Sequence, residues 1–220
     1  FGAVGSPNRL DGLNAPAEGL DIVIQGYRPL EMGPRIIKVE QDLYRLLGGA
    51  RWQMSGWDFE SALGYSEATA RDEEFNRISK TLLQDQIALS TPDAFNPFGG
   101  PDANSAAVLE QVRVSSVRYG ESALTTWDIK ATRPDLFALP GGDVGVAVGI
   151  DYRREEIMED SDPRLDGTIQ ITNGAIPDES DLVGVSATRD FSGDRDVWAA
   201  YTELQVPIVG EGNRVPGIYA

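Results

Sequence analysis

The 220 residues carry 19 basic and 35 acidic side chains, a formal net charge of −16 and a pI near 4.3. That balance excludes phosphate-backbone binding as a design principle, because nucleic-acid recognition needs a basic surface. There is no Cys and no His, which removes disulfides, thiolate metal sites, Ser-His-Asp chemistry and the commonest zinc and haem ligand. No run of about 18 apolar residues is present, so no transmembrane helix is expected.

Residues 1–20 are rich in Gly, Pro and Asn and read as loop. A short strand is expected over 21–27. A longer one follows over 35–48, with Ile37, Val39, Leu43 and Leu47 on one face and Lys38, Glu40, Asp42 and Tyr44 on the other. Arg45 breaks that apolar face. Residues 48–56 read as a connection. Residues 57–66 alternate cleanly, with Trp57, Phe59, Leu63 and Tyr65 against Asp58, Glu60, Ala62, Gly64 and Ser66.

Residues 67–120 read as a long irregular connection with two short helices. Ser79 caps the first, over 80–89, and Thr91-Pro92 stops it. Asp102 or Asn104 caps the second, which runs through Gln111. Alternation returns over 121–132, with Ala123, Thr125, Trp127 and Ile129 on the apolar side. A turn is expected over 133–142. The strongest pattern is 143–156, DVGVAVGIDYRREE, where Val144, Val146, Val148, Ile150 and Tyr152 share one face and small or charged residues the other. An acidic connection covers 155–194. The last full strand, 196–209, sets Trp198, Ala200, Thr202, Leu204, Val206 and Ile208 on one face. Residues 210–217 turn, and 215–220 begin a new segment.

From the second connection onward, every other connection is short. Outer-membrane barrels have short periplasmic turns and long extracellular loops. The expected fold is therefore all-β: an antiparallel transmembrane β-barrel segment of about seven strands, with long outer loops carrying one or two short helices. Both ends of the chain read as cut, as expected of a piece of a larger protein. A soluble extracellular β-sandwich that binds carbohydrate is the alternative. In it, the Val and Trp faces point into a core.

Several stretches resemble the barrel of TonB-dependent outer-membrane receptors: 93–99 (DAFNPFG), 136–155 (LFALPGGDVGVAVGIDYRRE), 197–209 (VWAAYTELQVPIV), and the succession of 31–35 (EMGPR), 42–51 and 57–65. The resemblance covers most of residues 21–217, in the family's order. It implies about 22 strands in the whole barrel, closed by an N-terminal plug. This chain would be the middle of that barrel, without plug, TonB-contacting segment or C-terminal strand. The implied function is import of a scarce nutrient, such as siderophore-bound iron, vitamin B12 or a carbohydrate. The implied partners are outer-membrane lipid, the nutrient, and the TonB complex acting through the plug. Neither a cofactor nor nucleic acid is expected.

Candidate site residues are few. Phe95, Asn96 and Phe98 lie on a loop expected outside the cell, where an aromatic pair can stack on a ligand ring or plug the loop itself. Asp160 and Asp162, with Asp166, supply hard oxygen ligands at short spacing but lack the calcium-hand pattern, and a solvated loop accounts for them equally. Asp58, Glu60, Asp128, Lys130, Asp151, Arg153, Glu203 and Gln205 are expected to line a wet lumen. Asp58 and Glu60 superficially form a glycosidase-like carboxylate pair. Nothing else in the chain supports catalysis, and no enzymatic activity is expected.

Overall fold

The computed structural model describes residue 14, residues 16–20, residue 28 and residues 30–100, 102–173, 176–178 and 180–210. The expected strand over 21–27 and the segments after 210 lie outside these residues. The described chain is all-β with few helices, built on a five-stranded antiparallel sheet. Its strands are β1 (Ile36–Met54), β2 (Trp57–Ile78), β3 (Arg113–Leu139), β4 (Gly142–Ser161) and β7 (Phe191–Gln205), in the order β1-β2-β3-β4-β7. Each strand therefore pairs with its neighbour in sequence within this sheet. β5 (Ile171–Asn173) and β6 (Ile176–Asp178) form a separate two-stranded ribbon, with Thr172 opposite Pro177. The five-stranded sheet is not closed: β1 and β7 are its edges. Among the described residues there is no second sheet of the size a sandwich needs.

The strands are longer than the sequence pattern indicates. β1 runs through 48–54, which the Gly pair had marked as a connection. Gly49 is there for close packing: a Cβ on it would sit 2.9 Å from the Ser61 carbonyl oxygen. The turn is only Ser55-Gly56, with φ of 54° and 81°. Positive φ at both central residues matches the type I′ hairpin, whose twist suits the flanking strands. β2 continues to Ile78 through EATARDEEFNRI. Its charges pair along and across strands, as in Arg71–Glu73 at 2.8 Å and Arg71–Glu40 at 4.0 Å. β3 runs to Leu139 despite Pro134, and only Pro140-Gly141 turns. Pro134 is tolerated because β3 has by then run past the start of β2, where Gly56 lies against the Arg133 side chain.

The chain forms two compact units. One comprises residues 1–41, 70–120 and 159–191; the other comprises 42–69, 121–158 and 192–220. The first has a core of Met32, Ile78, Phe95, Val108, Leu109 and Val112, against which Leu83, Ile87 and Val183 pack. Helix α1 (Lys80–Ala88) is capped as expected, the Ser79 hydroxyl accepting from the Leu82 N–H. The cap of α2 (Ala106–Val112) is Ser105, not Asp102 or Asn104. Asn104 instead accepts from the Asn96 N–H at 2.7 Å and donates to Glu31 at 2.8 Å.

A buried polar knot ties the two long connections of this unit together. The Ser79 hydroxyl donates to Asp181 Oδ2 at 2.7 Å, and the Thr81 N–H donates to Asp181 Oδ1 at 2.8 Å. Arg164 pairs with the same carboxylate, and Lys80 Nζ donates to the Ser180 carbonyl at 2.8 Å. Ser79 and Asp181 are fully buried. The stretches read as irregular loops are thus one packed body with its own core.

Candidate functional site

In the second unit, cross-strand contacts fix which residues share a face of the sheet. Gln53–Asp58, Trp52–Phe59 and Arg51–Glu60 keep one antiparallel register between β1 and β2. Glu60–Lys130 and the close approach of Gly64 to Thr126 join β2 to β3. Gly145 against Pro134 joins β3 to β4. Tyr152–Trp198, Gly149–Tyr201 and Glu155–Arg195 join β4 to β7. Following these pairs, one face carries Trp57, Phe59, Leu63 and Tyr65 of β2, Trp127 and Ile129 of β3, Val144 to Tyr152 of β4 at every second residue, and Trp198 and Leu204 of β7. On the same face β1 contributes Tyr44, Leu46, Ala50, Trp52 and Met54.

This corrects the reading of β1. Leu43 and Leu47 stand on the opposite face, with Arg45, Arg51, Asp58 and Glu60. The position that broke the apolar face therefore breaks nothing: Arg45 is on the polar side. Sequence alternation alone misassigned the strand because its first half is apolar at odd positions (Ile37, Val39) and its second half at even ones.

Much of the apolar face is exposed: Leu46 is 73% accessible, Leu63 59%, Trp198 64% and Leu204 62%, while Val144 is buried. Each strand carries an aromatic ring toward the same end of this face: Trp127, Tyr152 and Trp198 stand level, Tyr65 two residues and Tyr44 four residues further along their strands. Tyr152 and Trp198 touch, with centroids 4.5 Å apart, and Trp127 donates its indole N–H to Ser61 at 3.2 Å. Trp52 stacks on Phe59 at 5.3 Å near the β1–β2 turn. From Tyr152 down to Val144 is eight residues, roughly 26 Å of strand at about 3.3 Å per residue. Beyond the upper aromatic row this face turns acidic, with Glu67, Glu121, Glu156, Asp194 and Asp196.

The opposite face is mostly polar or small-sided, with Leu43, Leu47, Leu124, Ile157 and Tyr201 as its larger apolar or aromatic members. Glu60 bridges Arg51 at 3.0 Å and Lys130 at 3.2 Å, and Gln53 donates to Asp58 at 2.5 Å. The Tyr201 ring lies directly over Gly149, filling the space a side chain would occupy. Leu43, Ser66, Ala68, Ser122, Leu124, Ile157 and Gly193 border a groove of about 700 Å³. At its margin Glu155 pairs with Arg195 at 2.5 Å and with Arg153 at 3.1 Å. Of the apolar members, the sequence put Leu43 on the apolar face of β1 and did not single out Ile157. Only the register brings them onto the polar face.

The loop candidates separate. Phe95 is fully buried in the core of the first unit, so it is the plug of its own loop and not a stacking platform. The Asn96 carboxamide accepts from the Phe98 N–H at 2.9 Å, which shapes the turn. Phe98 remains half-exposed at 49%. Asp162 Oδ1 accepts from the Arg164 N–H at 2.9 Å and its carbonyl from the Asp166 N–H at 3.1 Å. Asp160 lies in β4, one residue before its end at Ser161. No group of three or more carboxylates placed to hold a metal occurs among the described residues. Asp58 and Glu60 are occupied by Gln53, Arg51 and Lys130.

Sequence reasoning missed Arg77. It is almost fully buried, and burial pushes its guanidinium below the ordinary arginine range; Glu74 opposes that shift and Arg35 adds to it. No family model, curated protein or solved structure matches the chain.

Proposed function

We propose that the chain is part of the wall of an outer-membrane β-barrel, and that the whole protein is a TonB-dependent receptor importing a scarce nutrient. The observation that carries the barrel part is the single apolar face shared by all five strands, bordered by aromatic rings and exposed over much of its extent, Val144 excepted. An apolar band of roughly 25 Å with aromatic girdles is what a lipid-facing wall requires. An exposed apolar surface of this extent is the mark of a membrane or protein contact, and lipid suits one bordered by aromatic rings. The order of connections supports the same reading. Two-residue turns alternate with the long segments that make up much of the first unit. The open edges at β1 and β7 are consistent with a wall that continues, since an edge cannot face lipid with unpaired N–H and C=O groups.

The TonB-dependent part rests on the sequence resemblance. On that reading the polar face and its groove look into the lumen, where cargo or an internal domain is met. Two arms test the proposal. The full-length protein, extracted from cells, should fractionate with the outer membrane and migrate as a heat-modifiable band. A soluble periplasmic protein would contradict the barrel. Strains lacking this protein or TonB should share one nutrient-specific growth defect. A defect independent of TonB would contradict the receptor while leaving the barrel standing.

A further inference from the structure

At the end of β2 in the first unit, Asn76 has φ of 60°, a left-handed conformation rare for a side-chain-bearing residue inside a strand. It is held there on two sides. Its amide donates to the Pro34 carbonyl at 2.8 Å, and its Oδ1 accepts from Arg113 Nη1 at 2.5 Å. The break in strand geometry is followed at once by Arg77, whose side chain is 2% exposed. Arg77 Nε lies 3.2 Å from a Glu74 carboxylate oxygen, but Nε and Nη1 are both buried with no hydrogen-bond partner. A buried guanidinium with an unused N–H is costly, and natural structures rarely leave one so.

The neighbouring charges do not fill the need. The Pro34–Asn76 bond brings Arg35 beside the end of β2. Arg35 is exposed and makes no ion pair among the described residues. Arg113 is committed to Met32, Asn76 and Glu110. Two guanidinium groups thus share a corner with Glu74 as the one carboxylate paired to either, in a chain of net charge −16.

We infer that Arg77 and Arg35 form an oxyanion-binding site, Arg77 offering its orphaned Nη1 from the buried side and Arg35 closing on the ligand from the exposed side. The ligand class is a phosphate-type group, which a guanidinium fork recognises by charge-assisted hydrogen bonds. Such a group comes either from a soluble ligand or from a lipid headgroup. The inference does not depend on the barrel reading, and its failure leaves that reading intact.

The test is calorimetric titration of the full-length protein in a zwitterionic detergent, at constant ionic strength set with chloride. Inorganic phosphate is one probe and micelles doped with phosphatidic acid are the other. Saturable binding of either is expected, weakened about tenfold or more in Arg35→Gln, whose site is exposed and whose fold is secure. Arg77→Lys, which keeps the charge but loses the fork, should weaken it as well. Binding of free phosphate identifies a soluble source, and binding of the doped micelles alone identifies a lipid source. No saturable binding of either probe, or equal binding by the wild type and Arg35→Gln, would overturn the site.

Discussion

Gly149 and Tyr201 state the packing problem of the polar face at its smallest scale. The tyrosine ring lies where a β-carbon would be. Gly149→Val is expected to destabilise the folded sheet by about 1–3 kcal/mol, the range for overpacking a filled site. Unfolding of the detergent-solubilised protein in guanidinium measures it, and adding Tyr201→Ala should restore part of the loss. Phe95 poses the opposite problem. It fills the core of the loop unit, so Phe95→Ala should cost that unit about 3–5 kcal/mol. The expected sign is new proteolytic cleavage within residues 79–112. Unchanged protection would mean that Phe95 is not the plug of its loop.

Along each strand the sequence was legible where one face was uniformly apolar. β4 and the first half of β2 were read from alternation alone, and the α1 cap at Ser79 from its hydroxyl. Three kinds of feature were hidden. Gly48-Gly49 looked like a turn because a glycine fitted for close strand packing cannot be told in sequence from one fitted for positive φ. The charged end of β2 looked like loop because pairing on both sides satisfies the backbone whatever the side chains are. The face of β1 was misread because an edge strand's pattern changes along its length and only its partner fixes the register. Of the candidate site residues, the sequence offered Phe95 with two opposite roles and the core selected one. Arg77 gave no local signal at all. These 220 residues contain no cysteine, so with any cysteine elsewhere in the protein replaced the β1 correction is easy to check. In single-cysteine variants of the full-length protein, Leu46→Cys should resist a membrane-impermeant thiol reagent and Leu47→Cys should react. The reverse result would restore the original face. On β4, Val148→Arg should cost about 2–4 kcal/mol of barrel stability, as expected of a cation on the lipid side near the midplane.

For the molecule as a whole, the described residues make an all-β chain whose five principal strands are joined in sequence order and whose long connections fold into a body with a core of their own. The central claim is that the shared apolar face meets lipid. β4 tests it most directly, because its alternation is the longest and its neighbours are fixed on both sides. Spin labels placed singly at residues 145–151 other than Gly149 of the full-length protein in lipid vesicles would report contact with oxygen, which partitions into lipid, and with a water-soluble paramagnetic complex. The account predicts a two-residue period, with 146, 148 and 150 favouring oxygen and 145, 147 and 151 favouring the aqueous probe. Even-numbered positions shielded from both, in a protein that stays monomeric without detergent, would contradict it.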